Sequence, residues 1–405
     1  MRIAYLASRL PYPPIGGDRL RAYYMLRHML RTHQVTLYAL ASPLPGGDEL
    51  VPDELSPLDR KFFRLSKVGY AWNAARGFFS HLPLQVKLYE SKELYQVLRA
   101  DVARGAADLL FVHLIRMAEY VAAHPKIPRV LDMVDSICMH YHRMCSAPWN
   151  PRWWGARLDR KRICRYEAEM PQRFNAVLLT SPVDLAWVAR RTRAENLMLV
   201  PNGVDLGRFK PLDTPIDPRR IVFCGKLDSL PNADAAIYFA KEILPQVRTY
   251  VSDAHFVVAG WNPPAAVRSL AQLPGVTVRA NVPDLRSEIA ASAVSVAPLR
   301  FGAGIQNKVL ESLAMGVPVV STLYVAQAIG DGESGPVLIG RTAEEFAGKV
   351  AQVLRDAGFR EHLARASREL VKSRYRWDQA LAPLDHLLEK LGTGKLTKQN
   401  GVVVS

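Results

Sequence analysis

The chain has 405 residues, 49% of them hydrophobic and 22% charged, the make-up of a water-soluble globular protein with two domains of roughly 200 residues each. No apolar run reaches the roughly 18 residues that span a bilayer. The formal charge of +15 comes without a zinc finger, an RNA-binding signature or a long Lys/Arg run, so nucleic acid is not the expected partner, and an anionic membrane surface is compatible.

The N-terminus reads as a strand over 2–8, because Pro and Gly follow too early for a signal peptide and a cytoplasmic protein is expected. A Pro/Gly loop with Gly16 and Gly17 leads to a helix over 18–31, with Asp18 as N-cap, and then a strand over 35–40. This opening lacks G-x-G-x-x-G, so a dinucleotide site is not expected. In 61–92 Lys61, Arg64, Lys67 and Arg76 interleave with Phe62, Phe63, Tyr70, Trp72, Phe78 and Phe79. The stretch reads as two helices packed on the first sheet or as a face lying on anionic lipid. Strands follow over 109–113, ending in His113, and 130–134, with Asp135 at its end. Residues 149–173 read as a solvated helix face, Glu167 and Glu169 included, before a strand over 177–180 and a helix capped by Ser181. Cys138, Cys145, Cys164 and Cys224 form no C-x-x-C pair or zinc pattern and read as packing residues.

Asn202-Gly203 and the prolines up to Pro218 mark a linker. Strand and helix patterns then alternate over 221–320, which predicts a parallel, doubly wound sheet. Its first strand ends in Gly225 and Lys226, and Pro231-Asn232 follows. A helix is expected over 264–272, a strand over 276–278 and a loop at Val282-Pro283-Asp284. The centre of the pattern is 294–322: an apolar strand, the loop Phe301-Gly302-Ala303-Gly304, a helix with Val309, Leu310, Leu313 and Ala314 on one face, Gly316, and another strand. A glycine loop running into a helix start favours a phosphate, and that phosphate would offset the unfavourable place of Lys308 in the first turn. Glu311 lies one turn on, within reach of sugar hydroxyls. The region 342–391 reads as helices, with Trp377 opening the last, and 392–405 as a polar tail.

Gly302, Gly304, Lys308 and Glu311 fit the G-x-G-x-x-x-K-x-x-E version of a pattern, and PNGVDLGRFKP accompanies it. In both stretches the chain resembles family 4 glycosyltransferases, the retaining nucleotide-sugar transferases of GT-B architecture. The resemblance implies an α/β fold with two Rossmann-like doubly wound domains facing a cleft. Their bounds are 1–200 on the acceptor side, a linker over 201–218, a nucleotide-sugar domain over 219–370, a helix over 371–391 crossing back, and a tail over 392–405.

The resemblance also implies catalytic roles for His113, Lys226 and Lys308. His113 would lie near the reacting sugar, and the lysines on the donor diphosphate. Donor contacts would come from Gly16, Gly17, Gly225, Val282, Gly304, Ile305, Gln306, Asn307 and Glu311, with Arg19 or Arg21 adding charge beside the Gly-Gly loop and Asp135 lining the cleft. Ala303 stands where the family usually has a first glutamate, and Pro231-Asn232 where it often has a second lysine. No Asp-x-Asp triplet occurs, so no metal and no cofactor is expected, the nucleotide-diphosphate sugar being substrate.

The expected activity is retaining transfer of a sugar to a hydroxyl of a glycan or polyprenyl-linked acceptor. The enzyme would be cytoplasmic, peripheral on the inner membrane face, and would serve exopolysaccharide or surface glycan synthesis. The stretches GIQNKVLE and GGDRLRAYY resemble transferases encoded with exopolysaccharide systems of the PEP-CTERM/exosortase kind. The alternatives are a silent nucleotide-binding scaffold, a sugar-nucleotide epimerase and a two-domain solute-binding protein.

Overall fold

Near-continuous apolar runs such as RIAYLA and LLFVH make strands buried on both faces, which is what a parallel sheet covered by helices requires. A computed structural model describes residues 1–41, 52–145, 153–330 and 335–393. It divides into two units, Met1–Pro201 with Leu381–Ser405, and Asn202–Ala380.

In the first unit the strands are β1 (Arg2–Ala7), β2 (Gln34–Ala41), β3 (Asp59–Arg64), β4 (Leu109–His113), β5 (Arg129–Val134), β6 (Ala176–Leu179) and β7 (Leu197–Leu199). They pair in parallel in the order β3-β2-β1-β4-β5-β6-β7. The order reverses direction between β1 and β4, where an open sheet leaves a crevice beyond its strand ends. Leu6, Leu110, Val112, Leu131, Met133 and Val177 lie in its core.

The second unit holds β8 (Asp217–Lys226), β9 (His255–Trp261), β10 (Val276–Ala280), β11 (Ser292–Ala297), β12 (Val319–Ser321) and β13 (Val337–Ile339). All pair in parallel in the order β10-β9-β8-β11-β12-β13, and the reversal falls between β8 and β11. Phe223, Phe239, Phe256 and Phe346 lie at its core. The two doubly wound, parallel-sheet units are the Rossmann-like pair expected of the GT-B architecture.

Several expectations need correction. The first helix spans Gly17–Met29 and its N-cap is Gly16 at φ 98, a conformation that favours glycine; Asp18 sits inside the first turn. Lys61 to Arg64 belong to strand β3, so only Lys67–Phe78 and Leu84–Leu88 are the helices of that stretch. β3 is the edge strand of its sheet with Asp59, Arg60 and Arg64 exposed, so it carries no continuous apolar run. Helix Trp153–Arg173 is not wholly solvated: Glu167 is buried and accepts from Ser136 Oγ at 2.6 Å and from Cys138 N at 3.1 Å. Residues 149–152 of that reading, and 394–405 of the tail, lie outside the described residues.

The cysteines are not all packing residues either. Cys138 and Cys164 form a disulfide with Cα atoms 4.8 Å apart, while Cys145 and Cys224 are free. Two cysteines 26 residues apart give no sequence signal; packing of helix Ile137–Cys145 on Trp153–Arg173 brings them together. The sulfurs lie beside His142, but they are bonded to each other and so are not free thiolate ligands.

Candidate functional site

The reversal point of the second sheet gathers Gly225, Lys226, Asn232 and Lys308. Strand β8 ends at Gly225 and Lys226, and helix Leu230–Tyr238 follows a short turn. Asn232 Nδ2 donates to the Lys226 carbonyl at 2.9 Å, and Asn232 Oδ1 accepts from Lys308 Nζ. The ammonium also lies 4.6 Å from the centre of the Phe223 ring. Gly225 allows this approach, because a Cβ there would stand 3.1 Å from Asn232 Nδ2 and 3.4 Å from Lys308 Nζ. Asn232 is therefore a site residue that the sequence reading passed over as a missing lysine. Lys226 itself is half exposed and pairs with Asp228 at 3.7 Å.

The loop after β11 brings in the rest. Gly302 and Gly304 have φ of 144 and 68, and the loop is braced by Tyr324 Oη donating to Phe301 O at 3.0 Å and Thr322 Oγ1 donating to Leu299 O at 2.8 Å. Helix Asn307–Ala314 then begins with Gln306 as an N-cap that gives no side-chain cap, so its first-turn N–H groups are not closed by a side chain. Asn307 Oδ1 accepts from Asn202 Nδ2 at 2.9 Å, which ties the helix start to the Pro-Asn-Gly segment. Ile305 is buried and can offer a ligand only its backbone. Gly316, at φ 74, ends the helix as read.

Glu311 is half-buried and its carboxylate makes no hydrogen bond among the described residues. Burial pushes it up to about 7, against the pull of Arg208 and Lys308. Burial likewise brings Lys308 down to about 7, opposed by Cys224 and Glu311. Each group is thus destabilised in its charged form until a partner arrives. Arg208 was also missed; the Asp205 carboxylate fixes its backbone, accepting from Arg208 N at 3.0 Å. Val282 lies just past β10 in a separate apolar cluster with Phe209, Leu212 and Leu285.

The remaining candidates belong to the first unit. His113 is buried at the end of β4, with Nδ1 2.8 Å from Asp132 Oδ2 and Nε2 3.1 Å from the Asp18 carbonyl. Both partners are acceptors, so neither nitrogen is left for a ligand. Arg21, offered as a cation for the loop, is corrected too. It is wholly buried, fully paired with Asp132 (Nε 2.9 Å, Nη2 2.8 Å), and donates to Pro201 O at 3.3 Å. Gly16, the N-cap, and Gly17, the first helical residue, carry the Asp18 carbonyl to His113.

Residues 218–356, which include Gly225 to Glu311, match the family described as glycosyl transferases group 1. The matched residues lie within the second unit, Asn202–Ala380. The chain is 29% identical over 210 residues to a D-inositol 3-phosphate glycosyltransferase of Acidothermus cellulolyticus, covering 46% of each. It is 28% identical over 221 residues to a GDP-mannose-dependent alpha-(1-6)-phosphatidylinositol monomannoside mannosyltransferase of Mycobacterium tuberculosis, covering 48% of this chain and 56% of that one. The chain thus spans about half the length of the curated relatives it matches. Among solved structures, a sucrose-phosphate synthase from Thermosynechococcus elongatus superposes with a TM-score of 0.75 at 16% identity, covering 97% of this chain and all of that one. The Anabaena protein HepE, in complex with UDP and glucose, gives 0.66 at 12% identity over 96% and 99%. At such identities the likeness is one of fold.

Proposed function

We propose that the chain is a glycosyltransferase that moves a sugar, with retained configuration and without a metal, from a nucleotide-diphosphate donor to a hydroxyl of a glycan or lipid-linked acceptor. The observation that carries this reading is the convergence of Lys308, Asn232, Gly225 and an uncapped helix start at the reversal point of the second sheet. In the reaction the bond from the anomeric carbon to the diphosphate oxygen breaks, with its electron pair leaving on the diphosphate. The acceptor oxygen forms the new bond and gives up its proton to the departing diphosphate oxygen. Lys226, Lys308 and the N–H groups from Gly304 to Lys308 would hold the growing negative charge, an oriented arrangement that often supplies the largest catalytic effect. Glu311 would take ribose hydroxyls, and Val282 would stand by the base. His113, with no free nitrogen, would act through the Asp18 carbonyl as a positioning residue.

The acceptor could be carried on lipid. No helix among the described residues is long and apolar enough to cross a membrane. Helix Lys67–Phe78 and the residue after it leave Val68, Trp72, Phe78 and Phe79 exposed, with Lys67 and Arg76 beside them. Lys61 is already paired with Asp101 at 2.6 Å and is not part of that face. A role in exopolysaccharide synthesis at the inner membrane face is our reading of this patch with the sequence wording, and Trp72→Ala/Phe79→Ala should lose sedimentation with anionic vesicles.

Ala303, in place of the usual glutamate, favours one rival, a silent nucleotide-binding scaffold. Titration with UDP, GDP and ADP without metal, followed by nucleotide release from the matching sugar donor, tests both. Stabilisation by one nucleotide with release supports transfer; stabilisation without release would leave the scaffold; no stabilisation would sink both.

A further inference from the structure

Three metal-ligating side chains of the first unit converge away from the candidate site. Cys138 and His142 lie four residues apart on helix Ile137–Cys145, so one face carries both. Cys164 comes from helix Trp153–Arg173. The two sulfurs are bonded to each other, and His142 Nδ1 stands 3.7 Å from Cys138 Sγ and 3.9 Å from Cys164 Sγ. The nearly equal distances set the nitrogen across from both sulfurs rather than beside one. They are close to the roughly 3.6 Å that separates a nitrogen and a sulfur ligand on one tetrahedral zinc ion. All three ligand atoms lie within 4.8 Å of one another.

The surroundings hold this arrangement in place. Glu167, one turn from Cys164, accepts from Cys138 N at 3.1 Å and from Ser136 Oγ at 2.6 Å, so the two helices stay joined without the disulfide. The His142 ring packs against Trp187 at 5.3 Å between centroids, and Arg191 lies over that indole at 3.6 Å. Cys138 is buried, while His142 and Cys164 are half-buried, so the cluster reaches solvent on one side. Guanidinium charge on Arg191, and on Arg143 and Arg165 beside the ligands in the chain, favours thiolates over thiols. In the oxidised chain Nδ1 donates to the Cys138 carbonyl at 3.0 Å, so the ring proton must pass to Nε2 before Nδ1 can ligate.

We propose that, once the disulfide is reduced, Cys138, Cys164 and His142 hold one thiophilic divalent ion of the zinc class. The same two helices are then clasped by a covalent bond in oxidising surroundings and by a metal in reducing ones. A dithiol supplies two electrons and two protons and closes to its own disulfide, and the protein sulfurs become thiols. Metal binding releases those two protons, and the thiolates part to the roughly 3.8 Å of two sulfurs on one zinc. Two thiolates and a neutral imidazole leave a fourth position for water. A reducing compartment keeps such cysteines as thiols, and there they more often ligate metal than form a bridge. The proposal does not depend on the transferase reading.

The test uses the full chain, stripped of metal with a chelator and either oxidised or reduced with a dithiol that is then removed without air. Each form is titrated with cobalt(II) and then with zinc. The reduced chain should take up one equivalent of cobalt, with sulfur-to-cobalt charge-transfer absorption and the visible bands of a tetrahedral ion. Zinc should displace the cobalt and abolish both signals, and the oxidised chain should show neither. Cys138→Ser and Cys164→Ser should weaken binding by at least the roughly 10- to 100-fold that loss of an outer partner costs, and Cys145→Ser should not. His142→Asn keeps the disulfide and therefore folds when oxidised; after reduction it should bind as weakly as the cysteine variants. If the reduced, metal-free chain loses its fold, zinc should restore the near-ultraviolet circular dichroism of the oxidised chain, and failure to do so would overturn the site. Cobalt uptake without charge-transfer absorption, uptake unchanged in Cys164→Ser or His142→Asn, or equal uptake by the oxidised chain would overturn it as well.

Discussion

Asn232 joins Lys308 to the end of β8: its carbonyl oxygen accepts from the ammonium while its amide donates to the Lys226 carbonyl. A single neutral side chain thereby holds Lys308 at the place where a second cation was expected. Lys308→Met keeps the length and removes the charge, and should weaken nucleoside diphosphate binding roughly 10- to 100-fold, the loss of a charge-assisted contact of about 1.5–3 kcal/mol. Asn232→Ala leaves the charge but frees the chain, and should cost several-fold less. Calorimetric titration checks both, with the urea midpoint as the control for folding. Unchanged binding in Lys308→Met would remove the lysine from the site.

The same site predicts a bell-shaped pH dependence of nucleotide affinity with its maximum near 7. Above about 7 the unliganded Lys308 is neutral and must take up a proton to meet the diphosphate, so affinity falls by up to tenfold per pH unit. Below about 7 Glu311 is protonated and must lose its proton to accept from two ribose hydroxyls, so affinity falls in the other direction. Calorimetry in two buffers should report proton uptake at pH 8 and release at pH 6. Lys308→Met should flatten the alkaline limb and Glu311→Gln the acid one. A limb that survives its own variant would show that another group titrates.

The alternation of apolar runs made the second sheet legible, and Gly304, Lys308 and Glu311 stood out because a glycine loop before a helix has a local signature. Asn232 did not, since it acquires its place only by packing against Lys308, and neither did Arg208, whose charge acts on Glu311 only once the chain is folded. His113 and Arg21 were singled out as functional by position along the chain, but their partner Asp132 lies inside an apolar strand, where a charge without its ion pair carries no readable pattern. Strands β7 and β13, of three residues each, are too short to set up an alternation.

Asp132 holds two buried side chains of the first unit at once. It is fully buried between Arg21 and His113, and although burial alone would raise it, Arg21 first and then His113 hold it below the usual carboxylate value. Asp132→Asn keeps the shape and strands the Arg21 charge, so it should cost about 3–5 kcal/mol of stability. Urea unfolding measures this. A loss under 1 kcal/mol would mean that water or Pro201 O already satisfies Arg21.

The last prediction separates the covalent brace from the site. Cys164 and Glu167 lie one turn apart on the same helix and grip the same segment, Cys164 by its bond to Cys138 and Glu167 by accepting from Ser136 Oγ and Cys138 N. Closing a 26-residue separation limits the unfolded chain by about 3.5 kcal/mol in the chain-entropy model. Cys164→Ser, or a dithiol reductant acting on the native chain, should therefore lower the unfolding free energy by up to that amount. The Glu167 hydrogen bonds remain, so the Ser136 segment keeps its place and nucleotide affinity in the second unit is unchanged. Unfolding with and without reductant, beside a nucleotide titration, checks the two halves. If stability did not respond to reductant, the cysteines would be packing residues after all; if nucleotide affinity fell with it, the disulfide would reach the second unit by a route that these hydrogen bonds do not provide.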